Sequence, residues 1–199
     1  VSDFEYATVA ELQQRIDGSG GVKWAPEDGV AMGLAINAAS RWVDEYMDTR
    51  FTAAQESRLY VARFPDVLYA DDFLSIVSVK SDEDGDGVYE TTWPSTDYRP
   101  EPFNATAKGR PYRQLRATGG ARFSTRRPVE VTAVFGYSEN PPPPIRQAVL
   151  LLAHRLWMRK DAVFGVAGTA GLGVFTVMAQ IQADADVMAL LEGVDRRYV

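Results

Sequence analysis

The sequence predicts an α+β fold, a helical bundle carrying a β-strand-rich insertion. Three observations predict it. Apolar residues recur at helical spacing over roughly residues 26–49. The grammar then changes to short alternating runs broken by Gly, Pro and Asp. After four prolines, Pro141 to Pro144, an apolar helical pattern returns and is followed by a second, shorter one. The expected division is 1–56 for the N-terminal helices, 57–140 for the β-rich insertion, and 141–199 for the segments that complete the bundle.

Thr8-Val9-Ala10-Glu11 fits a capping box, in which hydroxyl and carboxylate each take a backbone N–H. Val9, Leu12 and Ile16 then share one face, and Gly18-Ser19-Gly20-Gly21 stops the helix. Pro26 suits the first turn of the next helix, with Glu27 and Asp28 at its positive end. Its apolar stripe is Met32, Ala35, Ile36, Ala39, Val43, Tyr46 and Met47, with Asn37, Ser40, Arg41, Asp44 and Asp48 opposite.

Strands are expected at Arg58–Phe64, Phe73–Lys80, Val88–Trp93, Tyr112–Arg116 and Val129–Phe135, with Asp84-Gly85-Asp86-Gly87 as a turn. Pro94, Pro100, Pro102 and Pro111 favour short or edge strands in between. The helix after Pro144 has Ile145, Val149, Leu152 and Leu156 as its main stripe, while Leu151, Trp157 and Met158 point elsewhere. Apolar residues on more than one side suit a central helix, or one that also meets a partner. Phe164 to Phe175 is a Gly-rich apolar loop without charge, expected to pack on something. Asp184 or Asp186 suits the cap of the last helix, whose stripe is Val187, Leu190, Leu191 and Val194.

Composition excludes several classes. The longest apolar run, Ala148 to Ala153, is far too short to span a bilayer, so no membrane role is expected. The first residues lack the basic and apolar regions of a signal peptide. Without cysteine there are no disulfides, thiolate metal sites or cysteine nucleophiles. A net charge of −6 argues against a surface given over to nucleic acid. The charge is segregated, however. From Asp66 to Asp97 there are nine acids and one base, and from Pro102 to Val129 seven bases and no acid. Separated blocks of opposite sign suit head-to-tail contact between copies. Lys108, Arg110, Arg113 and Arg116 of one copy are therefore expected to meet Asp71 and Asp72 of the next.

Asp82-Glu83-Asp84-Gly85-Asp86-Gly87 matches the start of a calcium loop: alternating carboxylates supply hard oxygens and glycine allows the sharp turn. Asp82, Asp84 and Asp86 are the candidate ligands, with Glu90 where a water-mediated one would sit. Trp93 stands in place of the closing glutamate, and the flanks read as strands. The plainer reading is an acidic hairpin tip. His154, the only histidine, has no local nucleophile motif beside it and reads as structural or interfacial. Gly168-Thr169-Ala170-Gly171-Leu172-Gly173 lacks the ending of a phosphate loop. No enzyme and no obligatory cofactor are expected.

Three stretches carry a family resemblance: Asp97 to Ala105 with Gly109-Arg110-Pro111-Tyr112, Val129 to Tyr137 leading through Pro142 to Ala153, and Val187 to Arg197. In this order and spacing the chain resembles the head-to-tail adaptors of tailed bacteriophages. The resemblance implies a structural protein of the virion neck, assembled in the host cytoplasm. Its expected partners are the portal protein, a stopper or tail-completion protein, and its own copies in a ring, expected to be of twelve. Genomic DNA would pass through the channel without sequence-specific binding. The resemblance also implies portal contact by the C-terminal segment, here Val187, Leu190, Leu191, Val194, Arg196, Arg197 and Tyr198. The alternative is a calcium-binding β-rich interaction module built on Asp82, Asp84 and Asp86.

Overall fold

The computed structural model describes residues 5–18, 24–159 and 185–195. Among them are four α-helices and one six-stranded antiparallel sheet. The chain divides into two compact units, Val1–Asp48 with Pro141–Val199, and Thr49–Asn140.

In the first unit, α1 (Val9–Gly18) opens on the expected box. The Glu11 N–H donates to Thr8 Oγ1 at 3.3 Å, and the Thr8 N–H donates to Glu11 Oε2 at 2.8 Å. Leu12 and Ile16 are fully buried. Helix α2 (Asp28–Met47) ends where Asp48 turns left-handed at φ 48°. Met32, Ile36, Ala39 and Val43 form its buried stripe. Ser40, expected on the polar side, is fully buried; its hydroxyl donates to the Ile36 carbonyl at 2.8 Å and accepts the Tyr6 N–H at 3.2 Å. A hydroxyl that satisfies itself on its own helix is admitted to a core. Tyr46, expected in the stripe, is exposed and stacks on Trp42.

Helix α3 (Pro143–Met158) has proline in its first turn, where no N–H is needed. Ile145, Val149 and Leu152 are buried as expected, and so are Leu150, Ala153 and Trp157 on other sides. It packs against α1, α2 and the last helix, α4 (Ala185–Asp195). Asp186 lies in the first turn of α4 and is not its cap; Asp184 and the loop from Phe164 to Phe175 lie outside the described residues.

In the second unit the strands are β1 (Ala54–Tyr60), β2 (Val67–Ser81), β3 (Thr91–Thr92), β4 (Tyr98–Glu101), β5 (Tyr112–Ala117) and β6 (Val129–Phe135). Their order is β1-β6-β2-β5-β4, with β3 on the end of β2. Three strands differ from expectation. The first starts four residues earlier, at Ala54 rather than Arg58. The second begins at Val67 rather than Phe73. The third keeps only Thr91 and Thr92 of Val88–Trp93. Strand β4 is an addition: Pro100 pairs with Leu115 on the sheet edge, where the missing N–H costs no ladder bond.

Phe73 on β2 lies opposite both Tyr112 on β5 and Phe135 on β6, and β2 bulges on either side of it. Phe73, Phe135, Leu68, Val79, Leu115 and Val131 make one apolar core. Phe123, with Trp93 stacked on it at 4.7 Å, closes that core. Its N–H donates to the Pro65 carbonyl at 2.7 Å, which ties the β5–β6 loop to the turn before β2.

Candidate functional site

The acidic loop follows β2. Oxygens of Asp82, Asp84, Asp86 and Glu90 all lie within 4.8 Å of one another. The loop's own backbone also uses these carboxylates. Asp82 Oδ1 accepts the Gly85 N–H at 2.5 Å, and its Oδ2 accepts the Gly87 N–H at 2.9 Å. Asp84 accepts from Asp86 N–H at 3.2 Å, and Asp86 from Val88 N–H at 2.7 Å. Glu90 Oε1 accepts the Glu83 N–H at 3.3 Å. The Gly85 and Gly87 N–H groups hold the Asp82 carboxyl below its ordinary pKa, with Arg127 adding to the effect. Gly85 and Gly87 take φ of 88° and 89°, which a side chain would resist. The sequence thus brings its three candidate ligands together, and Glu90 with them.

A shallow cleft of about 510 Å³ runs beside this loop. Asp82, Glu83, Trp93 and Asp97 line it together with Arg122, Ser124 and Arg127.

Antiparallel pairing of β2 with β5 lays residues 67–73 alongside 112–116, and the opposite charges meet within one copy. Arg113 Nε donates to Asp72 Oδ1 at 2.8 Å, and the Thr49 hydroxyl donates to Asp72 Oδ2 at 2.8 Å. Arg116 donates to Glu101 at 3.0 Å and to Asp66 at 3.1 Å. Arg58 and the Tyr60 hydroxyl both donate to Asp71, at 2.6 and 2.8 Å. Burial, followed by the Asp71 contact, pushes the Tyr60 phenol up to about 12. Asp71, Asp72, Arg113 and Arg116 are therefore paired within one copy, with the side chains of Asp71 and Arg113 still partly exposed. Lys108 is exposed and Arg110 half-buried in the β4–β5 connection.

Two residues that sequence reasoning did not single out hold this network. Glu101, buried at 7% exposure, accepts from Arg99, Gln114 and Arg116. Arg50 donates to the Thr52 carbonyl, to Glu56 and to the Phe135 carbonyl, tying the start of β1 to the end of β6. The strand register brings in the distant partners, Gln114 and Arg116 for Glu101 and the Phe135 carbonyl for Arg50.

On α4, Val187, Leu191 and Val194 are fully buried, and Leu190 is half-buried. The helix packs against α3, which takes the apolar stripe inward. Three of the side chains assigned to portal contact are thus occupied inside the subunit. Arg196, Arg197 and Tyr198 lie outside the described residues. His154 is half-buried; burial, then the charges of Arg15 and Arg155, lower its pKa.

No protein-family model matches the chain, and no curated protein matches it. Solved structures do. A chain in the neck of the empty gene transfer agent particle, at C6 symmetry, superposes with a TM-score of 0.60 at 19% identity, covering 91% of this chain and 92% of that one. The chain shares its fold with that neck component. A chain from the neck of the native particle, at C12 symmetry, gives 0.55 at 18% identity, covering 87% of this chain and 86% of that one. A third, from the native virion, gives 0.56 at 22% identity, covering 92% and 91%.

Proposed function

We propose that this protein is a non-enzymatic structural component of the neck of a phage-like particle. It acts there as a ring-forming head-to-tail adaptor between the portal vertex and the stopper or tail, around the DNA channel. The observation that carries the reading is a shared fold over about nine-tenths of both chains with a neck component. The C6 and C12 symmetries of those necks support a ring. A net charge of −6 suits a wall past which a polyanion must slide without sticking.

Light scattering tests the reading directly. The protein, a portal ring encoded in the same genome, and their mixture are measured side by side. Saturable binding of one ring's worth of subunits supports the adaptor role. A folded, monodisperse protein that leaves the portal's mass unchanged sinks it. A variant truncated after Asp195 is measured beside them; it keeps the side chains of Val187, Leu191 and Val194 that are buried in the α4 contact with α3.

A second reading is favoured by the convergence of Asp82, Asp84, Asp86 and Glu90. Four carboxylates at that spacing suit a divalent cation such as calcium. In this reading the β-rich unit is a calcium-dependent interaction module.

A further inference from the structure

Charge complementarity between copies is available at a second place in the β-rich unit. The connection from β4 to β5 is a stiff prong. Ala105, buried at 1% exposure, anchors it, and its carbonyl accepts the N–H groups of Lys108 and Arg110 at 3.0 and 2.9 Å. The Gly109 N–H closes on the Thr106 carbonyl at 3.0 Å, and the Thr106 and Tyr112 hydroxyls meet at 2.9 Å. On this frame Phe103 stands 63% exposed, with the Arg99 guanidinium 4.7 Å from its ring centre. Lys108, five residues further along the same connection, is exposed. An aromatic on an ordered loop, with a guanidinium on its ring, has little conformational entropy to lose on docking and suits an interface anchor.

The acidic loop is its chemical complement. Asp84, Asp86 and Glu90 are exposed around Val88, itself 58% exposed. Each surface has an exposed apolar residue, Phe103 or Val88; acids outnumber the Arg127 guanidinium beside Gly85 on the loop, and residues 102–110 of the prong carry Lys108 and Arg110 and no acid. They are also separate places on the subunit. The prong leaves the sheet at Tyr112, opposite Phe73, whereas the acidic loop leaves at Ser81. From Phe73 to Ser81 is roughly 26 Å of strand path at ~3.3 Å per residue. Two distinct complementary patches on one subunit make a heterologous contact, which closes into a ring when the rotation allows.

We propose that neighbouring copies of this chain join by docking the prong of one, Phe103 with Arg99 and Lys108, onto the acidic loop of the next, around Val88. The inference rests on the ring reading above and names the surfaces that build the ring.

The absence of cysteine makes the test clean. A full-length chain carrying both Phe103→Cys and Val88→Cys is oxidised and run on a non-reducing gel. Because each copy then holds both halves of the contact, a ladder beyond dimer is expected. Each single-cysteine variant should stop at dimer. A reference pair, Leu34→Cys with Val88→Cys, uses an exposed residue of the other unit. A ladder of equal strength from that pair would mean random collision and overturn the proposal. In sedimentation velocity, Lys108→Glu should weaken self-association roughly tenfold, and Asp84→Lys in the same chain should restore it. An oligomeric wild type without a specific ladder overturns this interface and leaves the ring standing. A wild type that stays monomeric at every concentration overturns both.

Discussion

Arg116 and Glu101 meet diagonally across the β4–β5 pair, with the guanidinium Nε 3.0 and 3.1 Å from the two carboxylate oxygens. Arg99 and Gln114 donate to the same carboxylate at 3.2 and 2.7 Å. A short edge strand that contains proline has few ladder bonds, so this buried acceptor is what fastens it. Glu101→Gln keeps the shape and removes the charge. It should destabilise the protein by about 2 kcal/mol, the scale of a lost charged hydrogen-bond acceptor. The urea midpoint reads this directly, and an unchanged midpoint would show that the edge is held by packing alone.

The same carboxylate sets an acid limit. Burial pushes the Glu101 carboxyl up, but hydrogen bonds from Gln114, Arg116 and Arg99 outweigh it and hold the pKa below the ordinary 4.5. Glu56 behaves alike: burial raises it, and its bonds from Arg50 and Arg58 overcome that. A carboxyl lowered in the folded state contributes stability that is fully present above its unfolded pKa and lost as pH falls through the folded value. Melting temperature should therefore fall below pH 4.5, and the fall should be shallower in Glu101→Gln. Parallel pH curves for variant and wild type would remove Glu101 from the acid response.

Gly136, just after β6, has φ of 138° and sits against the backbone of Thr52 and Ala53. A Cβ there would lie 2.7 Å from the Ala53 Cα and closer still to the Thr52 carbonyl oxygen. Both obstacles are backbone, so no side chain can swing aside. Gly136→Ala should cost roughly 3 kcal/mol from strain and overpacking together. Gly87→Ala, with φ of 89° and nothing within 4 Å, meets the conformational penalty alone and should cost less. Equal losses in thermal denaturation would contradict the steric account.

The acidic loop makes a separate prediction. If it holds calcium, a free concentration a hundredfold above Kd should stabilise the protein by about 2.7 kcal/mol. Asp84→Ala should abolish the gain, since Asp84 contributes one of the four converging carboxylates. No rise in melting temperature at millimolar calcium would leave the loop as an acidic turn held by its own N–H groups.

How much was legible depended on whether a segment's neighbours were local. Strand β6 alternates, and its bounds were read as they stand, because Val129, Val131, Ala133 and Phe135 all face one core. The capping box was equally local. Strand β1 begins four residues before its expected start, because Gln55, Glu56 and Ser57 look like loop in sequence. In the fold, Glu56 is paired with Arg50 and Arg58, and the Arg58 guanidinium lies 4.3 Å from the Phe135 ring centre. Strand β4 was hidden by its prolines. The three aspartates of the acidic loop were found because they are neighbours in sequence. The pairing of Arg113 with Asp72 within one copy, 41 residues away, emerges only from the strand register.

The C-terminal helix separates two roles that its sequence merges. Val187, Leu191 and Val194 were assigned to portal contact, yet all three are fully buried. Leu191→Ala should therefore destabilise the protein by roughly 2–5 kcal/mol, as loss of a buried leucine side chain does. Ala189 is exposed on the same helix. Ala189→Asp should leave the melting temperature close to wild type and, if α4 meets the portal, lower portal binding at least tenfold. Binding and stability measured together on both variants divide the cases. Leu191→Ala that remains stable but no longer binds would return the buried stripe to the interface. Ala189→Asp that is stable and binds normally would move portal contact away from the exposed face of α4.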